Sequence, residues 1–157
     1  KIIKIMVKKI LKGIGITFLV LISLFVLLAI WTANKSSAYK ETAIPYLNSA
    51  ITDISQWDPQ TLKNYMTPSS IENATDEDIS KIMRAFSKLG ELKELGEFEF
   101  INVSSKAVTG GGSGTYVTYL IPASYTNGDA KITVTLKEEG ESFSIYNFNL
   151  NSMALID

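Results

Sequence analysis

The sequence of 157 residues contains no Cys and no His. Without Cys there is no disulfide, thiolate zinc site, iron–sulfur cluster, lipid-modified Cys or Cys nucleophile. Without His there is no imidazole base and no imidazole ligand for a metal or haem, so the commonest acid–base and metal chemistries are excluded. Charge is also missing locally. Residues 1–12 contain no acid, and residues 13–33 carry no charge of either sign. The length suits one ordinary domain with an appendage and excludes a barrel enzyme of about 250 residues.

What the chain does have is a long apolar run. Gly13 to Ala33 read GIGITFLVLISLFVLLAIWTA. At about 1.5 Å per residue this run is about 31 Å long, matching a hydrocarbon core of about 30 Å. Thr17 and Ser23 are its strongly polar side chains, and both hydroxyls can bond back to the preceding turn. Trp31 stands at its far end, where an interfacial aromatic belongs. The run is longer than the apolar segment of a cleaved signal peptide, so Ser36-Ser37-Ala38 is not taken as a cleavage site and a retained anchor is expected. Lys1, Lys4, Lys8, Lys9 and Lys12 precede the run, whereas Asn34 to Asp157 carry 10 basic and 16 acidic residues. This asymmetry predicts an N-terminus in the cytoplasm and the bulk of the chain outside an inner (plasma) membrane. Lys1, Lys4, Lys8 and Lys12 fall on one side of a helix, opposite Ile3, Met6, Val7 and Ile10. That is a basic amphipathic segment able to lie on anionic lipid or pack on a partner. Lys1, Lys4, Lys8, Lys12, Gly13, Gly15, Ser23 and Trp31 are therefore the candidate membrane and partner contacts.

Residues 34–56 keep helical spacing through Tyr39, Ala43, Ile44, Leu47, Ala50, Ile51 and Ile54, so a juxtamembrane helix interrupted at Pro45 is expected. A separate extracytoplasmic domain is expected over 57–157. Asp58-Pro59 reads as N-cap and first helical position of a short helix ending before Thr67-Pro68. Thr75-Asp76-Glu77-Asp78 opens another helix over about 76–89, with an apolar stripe of Ile79, Ile82, Met83, Phe86 and Leu89 and Gly90 as its cap.

Beyond Gly96 the period changes to two. Four strands are expected, separated by the glycine run 110–114, by Asn127-Gly128 and by Glu138 to Glu141. Pro122 argues for an edge or a bulge in the second strand. In the last strand Phe143 and Ile145 are out of phase with Phe148 and Leu150, which a bulge near Tyr146-Asn147 would repair. Helices followed by a meander make an α+β domain, with helices packed on a curved four-stranded antiparallel sheet.

This order, with FSKLGEL at Phe86–Leu92 and YTNGDAKITVTLKEEGESFSIYNFNLNS at Tyr125–Ser152, resembles the nuclear transport factor 2-like (cystatin-like) superfamily, specifically its small bacterial membrane-anchored members of unassigned activity. Those members often have Trp where this chain has Phe143. The resemblance spans about residues 40–152. It implies a cone-shaped sheet with a pocket inside, and carries no function, because the superfamily includes isomerases, ligand binders, secretion-channel components and dimerisation modules.

Chemistry is thin. An Asp–His dyad is excluded, and Asp53, Asp58, Asp76 and Asp78 read as helix-terminal or surface acids instead of partners for Tyr65, Tyr116, Tyr119, Tyr125 or Tyr146. The glycine run lacks the Lys-Ser/Thr of a phosphate loop and joins strand to strand. The acidic clusters lack calcium-loop spacing. An acidic outer region disfavours nucleic acid. Trp57, Tyr65, Phe86, Tyr119, Tyr125 and Phe148 are candidate pocket-lining residues, with core filling as the simpler role. No enzyme activity and no cofactor are expected. The expected role is an accessory or assembly subunit, held through its helix to membrane lipid and to a larger complex or to copies of itself. A tethered binder of a small hydrophobic ligand and a secretion-channel component are the alternatives.

Overall fold

A computed structural model describes residues 2–108 and 112–156. The chain divides into two compact units, Lys1–Ala38 and Tyr39–Asp157. Helix α1 runs over Ile2–Lys40, about 58 Å at about 1.5 Å per residue. None of its most apolar 18-residue window is buried. Thr17 and Ser23 donate to the Gly13 and Leu19 carbonyls at 3.0 and 2.9 Å, so both hydroxyls are satisfied within the helix.

Helix α2 follows over Ala43–Ile54 after a two-residue turn. Pro45 lies in its first turn, where a missing N–H removes no helical bond. The interruption therefore falls ahead of the proline, at Glu41-Thr42. Ala43, Leu47, Ala50, Ile51 and Ile54 repeat on one face and are all fully buried. The expected juxtamembrane stretch 34–56 is thus divided, and its second half supplies core to the Tyr39–Asp157 unit.

Helix α3 (Pro59–Tyr65) begins as its sequence suggests, with the Asp58 carboxylate accepting from the Thr61 amide at 3.0 Å. A single further turn, α4 (Pro68–Ile71), has no clear signal beyond its proline. Helix α5 (Asp76–Phe86) is opened by a reciprocal capping box between Thr75 and Asp78 and ends in a 3₁₀ turn at Ser87–Leu89. Ile79, Met83 and Leu89 are buried and Phe86 is half-buried, but Ile82 is exposed and leaves the expected stripe.

The sheet has five strands, not four: β1 (Leu92–Leu95), β2 (Glu99–Val108), β3 (Gly112–Tyr125), β4 (Gly128–Glu139) and β5 (Ser142–Asn151). All pairings are antiparallel, in the order β1-β3-β4-β5, with β2 also on β3. Strand β1 is four residues long and does not alternate, so periodicity misses it. It pairs with Ala123–Tyr125 while β2 pairs with Gly112–Leu120, so the two share one edge of β3 end to end. Pro122 sits at their junction. Its carbonyl accepts from the Gly96 amide at 2.7 Å, so its nitrogen also faces the junction and the missing donor breaks no ladder bond.

The hairpin expected at Asn127-Gly128 is shifted by one residue. Tyr125 pairs with Gly128, and Thr126-Asn127 form the tip. The Thr126 and Asn127 amides donate to the Glu91 and Leu89 carbonyls at 2.9 and 3.0 Å, which holds the tip in that register. Gly128 is needed for another reason: a Cβ there would lie 2.7 Å from the Cβ of Ala154. The second turn places Gly140 at φ 65°, a left-handed value that glycine adopts without steric cost. The glycine run does not end the strand, since Gly112 and Gly114 pair with Val108 and Lys106 within β3 and β2. The centre of that expected loop, 109–111, lies outside the described residues.

The expected bulge in β5 is present. Thr135 pairs with Asn147 and Leu136 with Ile145, leaving Tyr146 as the extra residue. Ile145 and Leu150 thereby share the buried face with Val117, Tyr119 and Ile121 of β3 and Ile132, Val134 and Leu136 of β4. The α4 region closes the bulge. The Thr67 amide donates to the Ile145 carbonyl at 2.8 Å, and the Ser70 hydroxyl to the Tyr146 carbonyl at 2.6 Å.

Candidate functional site

Three features of the chain are candidates for a functional site. The first is the helix. Lys4, Lys8, Lys12, Gly13, Gly15 and Ser23 are exposed, as is Trp31 at 57%. A Cβ added at Gly13 or Gly15 would meet nothing within 4 Å. Lys1 lies outside the described residues. The large apolar side chains from Ile2 to Trp31 are 46–78% exposed. A surface of that size and composition is unfavourable in water, and the helix is long and apolar enough to cross a membrane.

The second is the set of aromatics. Trp57, Phe86, Tyr125 and Phe148 form one chain of ring contacts, with centroids 6.2 Å apart for Trp57–Phe86, 5.4 Å for Trp57–Tyr125 and 6.5 Å for Phe86–Phe148. Tyr119 lies apart, edge-on to Phe100 at 5.8 Å, with a buried hydroxyl that has no partner among the described residues. Tyr65 packs edge-on to Tyr46 at 6.1 Å. These six side chains belong to three separate groups in which rings cover rings, the geometry of core filling. Two members of the first group carry polar anchors: the Tyr125 hydroxyl meets the buried Ser55 hydroxyl at 2.9 Å, and the Trp57 indole N–H donates to the Gly90 carbonyl at 2.7 Å.

Tyr65 has a further partner. Its hydroxyl donates to the Asp53 carboxylate across the α2–α3 junction, a pair that reading Asp53 as a helix-terminal acid overlooked. That bond, then burial, then the carboxylate charge push the Tyr65 phenol up to about 12. Burial also raises Tyr46, Tyr119 and Tyr125. A phenol so held is a poor acid at neutral pH and serves as a clamp. The pH dependence follows by sign. The fold favours the protonated phenol, so its contribution is complete below the unfolded value of 10.0 and is lost as pH rises through about 12. We expect the denaturant midpoint to fall across that window, with phenolate absorbance appearing together with loss of near-ultraviolet circular dichroism. Tyr65→Phe should flatten the slope. Ionisation of all the tyrosines near pH 10 in an intact fold would contradict this account.

Among the described residues, no group of three or more Asp or Glu is placed to hold a metal ion. The acidic triplet at the start of α5 is engaged locally. Lys63 pairs with Asp76 at 2.6 Å, Lys81 with Glu77 at 3.0 Å, and Asp78 completes the capping box.

The third feature was missed by sequence reasoning. Asn102 and Ser104 of β2 pair with Thr118 and Tyr116 of β3, Lys106 follows two residues on along β2, Thr118 pairs with Thr135 of β4, and Thr135 with Asn147 of β5. These are the polar phase of the alternation, on the sheet face opposite the core. Together with Ser69 and Ser70 near the β5 bulge they line a groove of about 850 Å³. Tyr116 and Tyr146 meet edge-on at its wall, 4.8 Å between centroids, and the Lys106 ammonium lies 5.6 and 5.8 Å from the two rings. The available signal was the run of Asn, Ser and Thr at alternate positions in four strands.

Comparison of the chain with protein-family models and with curated proteins finds no match to either.

Proposed function

We propose that the chain is a single-pass membrane protein whose N-terminus lies in the cytoplasm and whose Tyr39–Asp157 unit stands outside it, as a non-catalytic accessory or assembly subunit of a larger membrane complex or a homo-oligomer. The observation that carries this reading is the helix Ile2–Lys40, long and apolar enough to cross a membrane and unburied throughout its most apolar window. Five lysines without an acid in residues 1–12, against 16 acids among 26 charges after the helix, support the orientation. Resemblance to the NTF2-like superfamily supports the fold of this domain and leaves its role to be argued from the tether. The α+β order of helices followed by an open antiparallel sheet accords with that resemblance, and the fifth strand extends the expected outline. The aromatics favour this over a hydrophobic-ligand binder, because their rings pack on one another.

The absence of native Cys makes the test simple, since every introduced thiol is unique. Lys9→Cys and Glu97→Cys variants, expressed in a bacterial inner membrane, are treated with a membrane-impermeant maleimide on cells with permeabilised outer layers. We expect Glu97→Cys to label and Lys9→Cys to label only after the inner membrane is opened. Purification of the parent chain in mild detergent should give a species larger than one chain per micelle. The reverse labelling pattern overturns the orientation, and a lone monomer without partners overturns the assembly role.

A further inference from the structure

The groove on the outer sheet face is not explained by tethering or by assembly. Its wall combines three features. Asn102, Ser104 and Asn147 have side chains with no hydrogen-bond partner among the described residues, so their donors and acceptors are open. Tyr116 and Tyr146 provide a two-ring wall, with Tyr116 buried enough to be held in place. Among the described residues, no Asp or Glu lines the groove, although the region from Asn34 onward contains 16 of them.

Each feature narrows the ligand. A wall of amides and hydroxyls, with Met66 and Phe148 as its apolar members, does not suit a lipid or another purely apolar molecule. A peptide added as a strand needs a free sheet edge, whereas this surface is a face spanning four strands. Lys106 is the charged member of the lining, and its ammonium is already held over the two rings. The net acidic charge of residues 34–157 disfavours a polyanion. What remains is a molecule rich in neutral hydroxyls with flat C–H faces.

We propose that this groove binds a neutral oligosaccharide, with Asn102 and Asn147 bonding its hydroxyls and the partly exposed Tyr146 ring, braced by the buried Tyr116, receiving a sugar ring. The volume, within the usual range of about 300–1,000 Å³ for ligand sites, accommodates a short glycan segment. The proposal does not depend on the orientation or assembly of the chain, so its failure and theirs are separable.

The test uses the full chain in nanodiscs of zwitterionic lipid, with side-chain amide resonances of asparagine followed by NMR. Cellotriose, maltotriose and chitotriose are the neutral probes and tri-galacturonate is the acidic one. We expect at least one neutral trisaccharide to shift the Asn102 and Asn147 side-chain signals in a saturable way. Both residues are exposed, so the double variant Asn102→Ala, Asn147→Ala should unfold at the parent temperature. Its affinity for that trisaccharide should fall at least about tenfold. The proposal is overturned by no shift with any neutral probe, by undiminished affinity in the double variant, or by tighter binding of tri-galacturonate than of every neutral probe.

Discussion

A fragment starting at Tyr39 is expected to fold in detergent-free buffer, and one starting at Trp57 is expected not to. The reason is α2. Leu47, Ile51 and Ile54 are fully buried, and burial of each such side chain contributes about 1.5–3 kcal/mol. Removing the three therefore costs about 5–9 kcal/mol, before counting Ala43, Ala50 and the core surface left open to water. A domain of this size has a total stability of about 5–15 kcal/mol, so little or nothing would remain. The longer fragment loses only residues of the other unit and keeps the whole core. Circular dichroism and a cooperative urea transition would decide the matter. A cooperative transition in the Trp57 fragment, with a midpoint near that of the longer one, would show that α2 is dispensable.

That outcome bears on how the sequence is read. The apolar positions of α2 were visible, but their spacing alone does not say whether they meet a membrane neighbour or a sheet. Contact with β5 and burial in the common cluster settle it. Elsewhere, local signals were sufficient because the physics is local. Asp58-Pro59, the Thr75–Asp78 capping box and the phase shift across Tyr146 each concern a few neighbouring residues, and each appears where expected. The features that escaped depend on distant partners. Strand β1 exists because Ala123–Tyr125 offer an edge beyond the junction at Pro122. The Thr126-Asn127 tip is displaced from Asn-Gly because the chain at Leu89–Glu91 binds it. The groove draws on residues from 66 to 148, and alternation classes its polar members simply as the solvent side.

Trp57→Ala is expected to destabilise the domain by about 3 kcal/mol, the lower end of the range for removing a large aromatic, because Trp57 is half-buried. Its backbone makes the measurement more informative than an ordinary cavity mutant. Trp57 has φ 63°, the one left-handed value outside glycine among the described residues, and such a conformation in a bulky residue costs about 1–2 kcal/mol. The conformation persists because it turns the chain out of α2, with the Trp57 amide on the Ile54 carbonyl at 2.9 Å. It also aims the indole at Gly90, Phe86 and Tyr125. Three substitutions separate these contributions. Trp57→Phe keeps a ring but leaves the Gly90 carbonyl without its indole donor, an expected loss of about 1–2 kcal/mol. Trp57→Gly loses the ring as Ala does but removes the steric cost of the left-handed backbone. It should therefore be more stable than Trp57→Ala by about 1 kcal/mol, despite the greater unfolded-state entropy of glycine. Urea midpoints of the four proteins give the ordering parent, Phe, Gly, Ala. If Gly falls at or below Ala, no steric cost is carried at φ of Trp57, and the tryptophan is held there by its side-chain contacts alone.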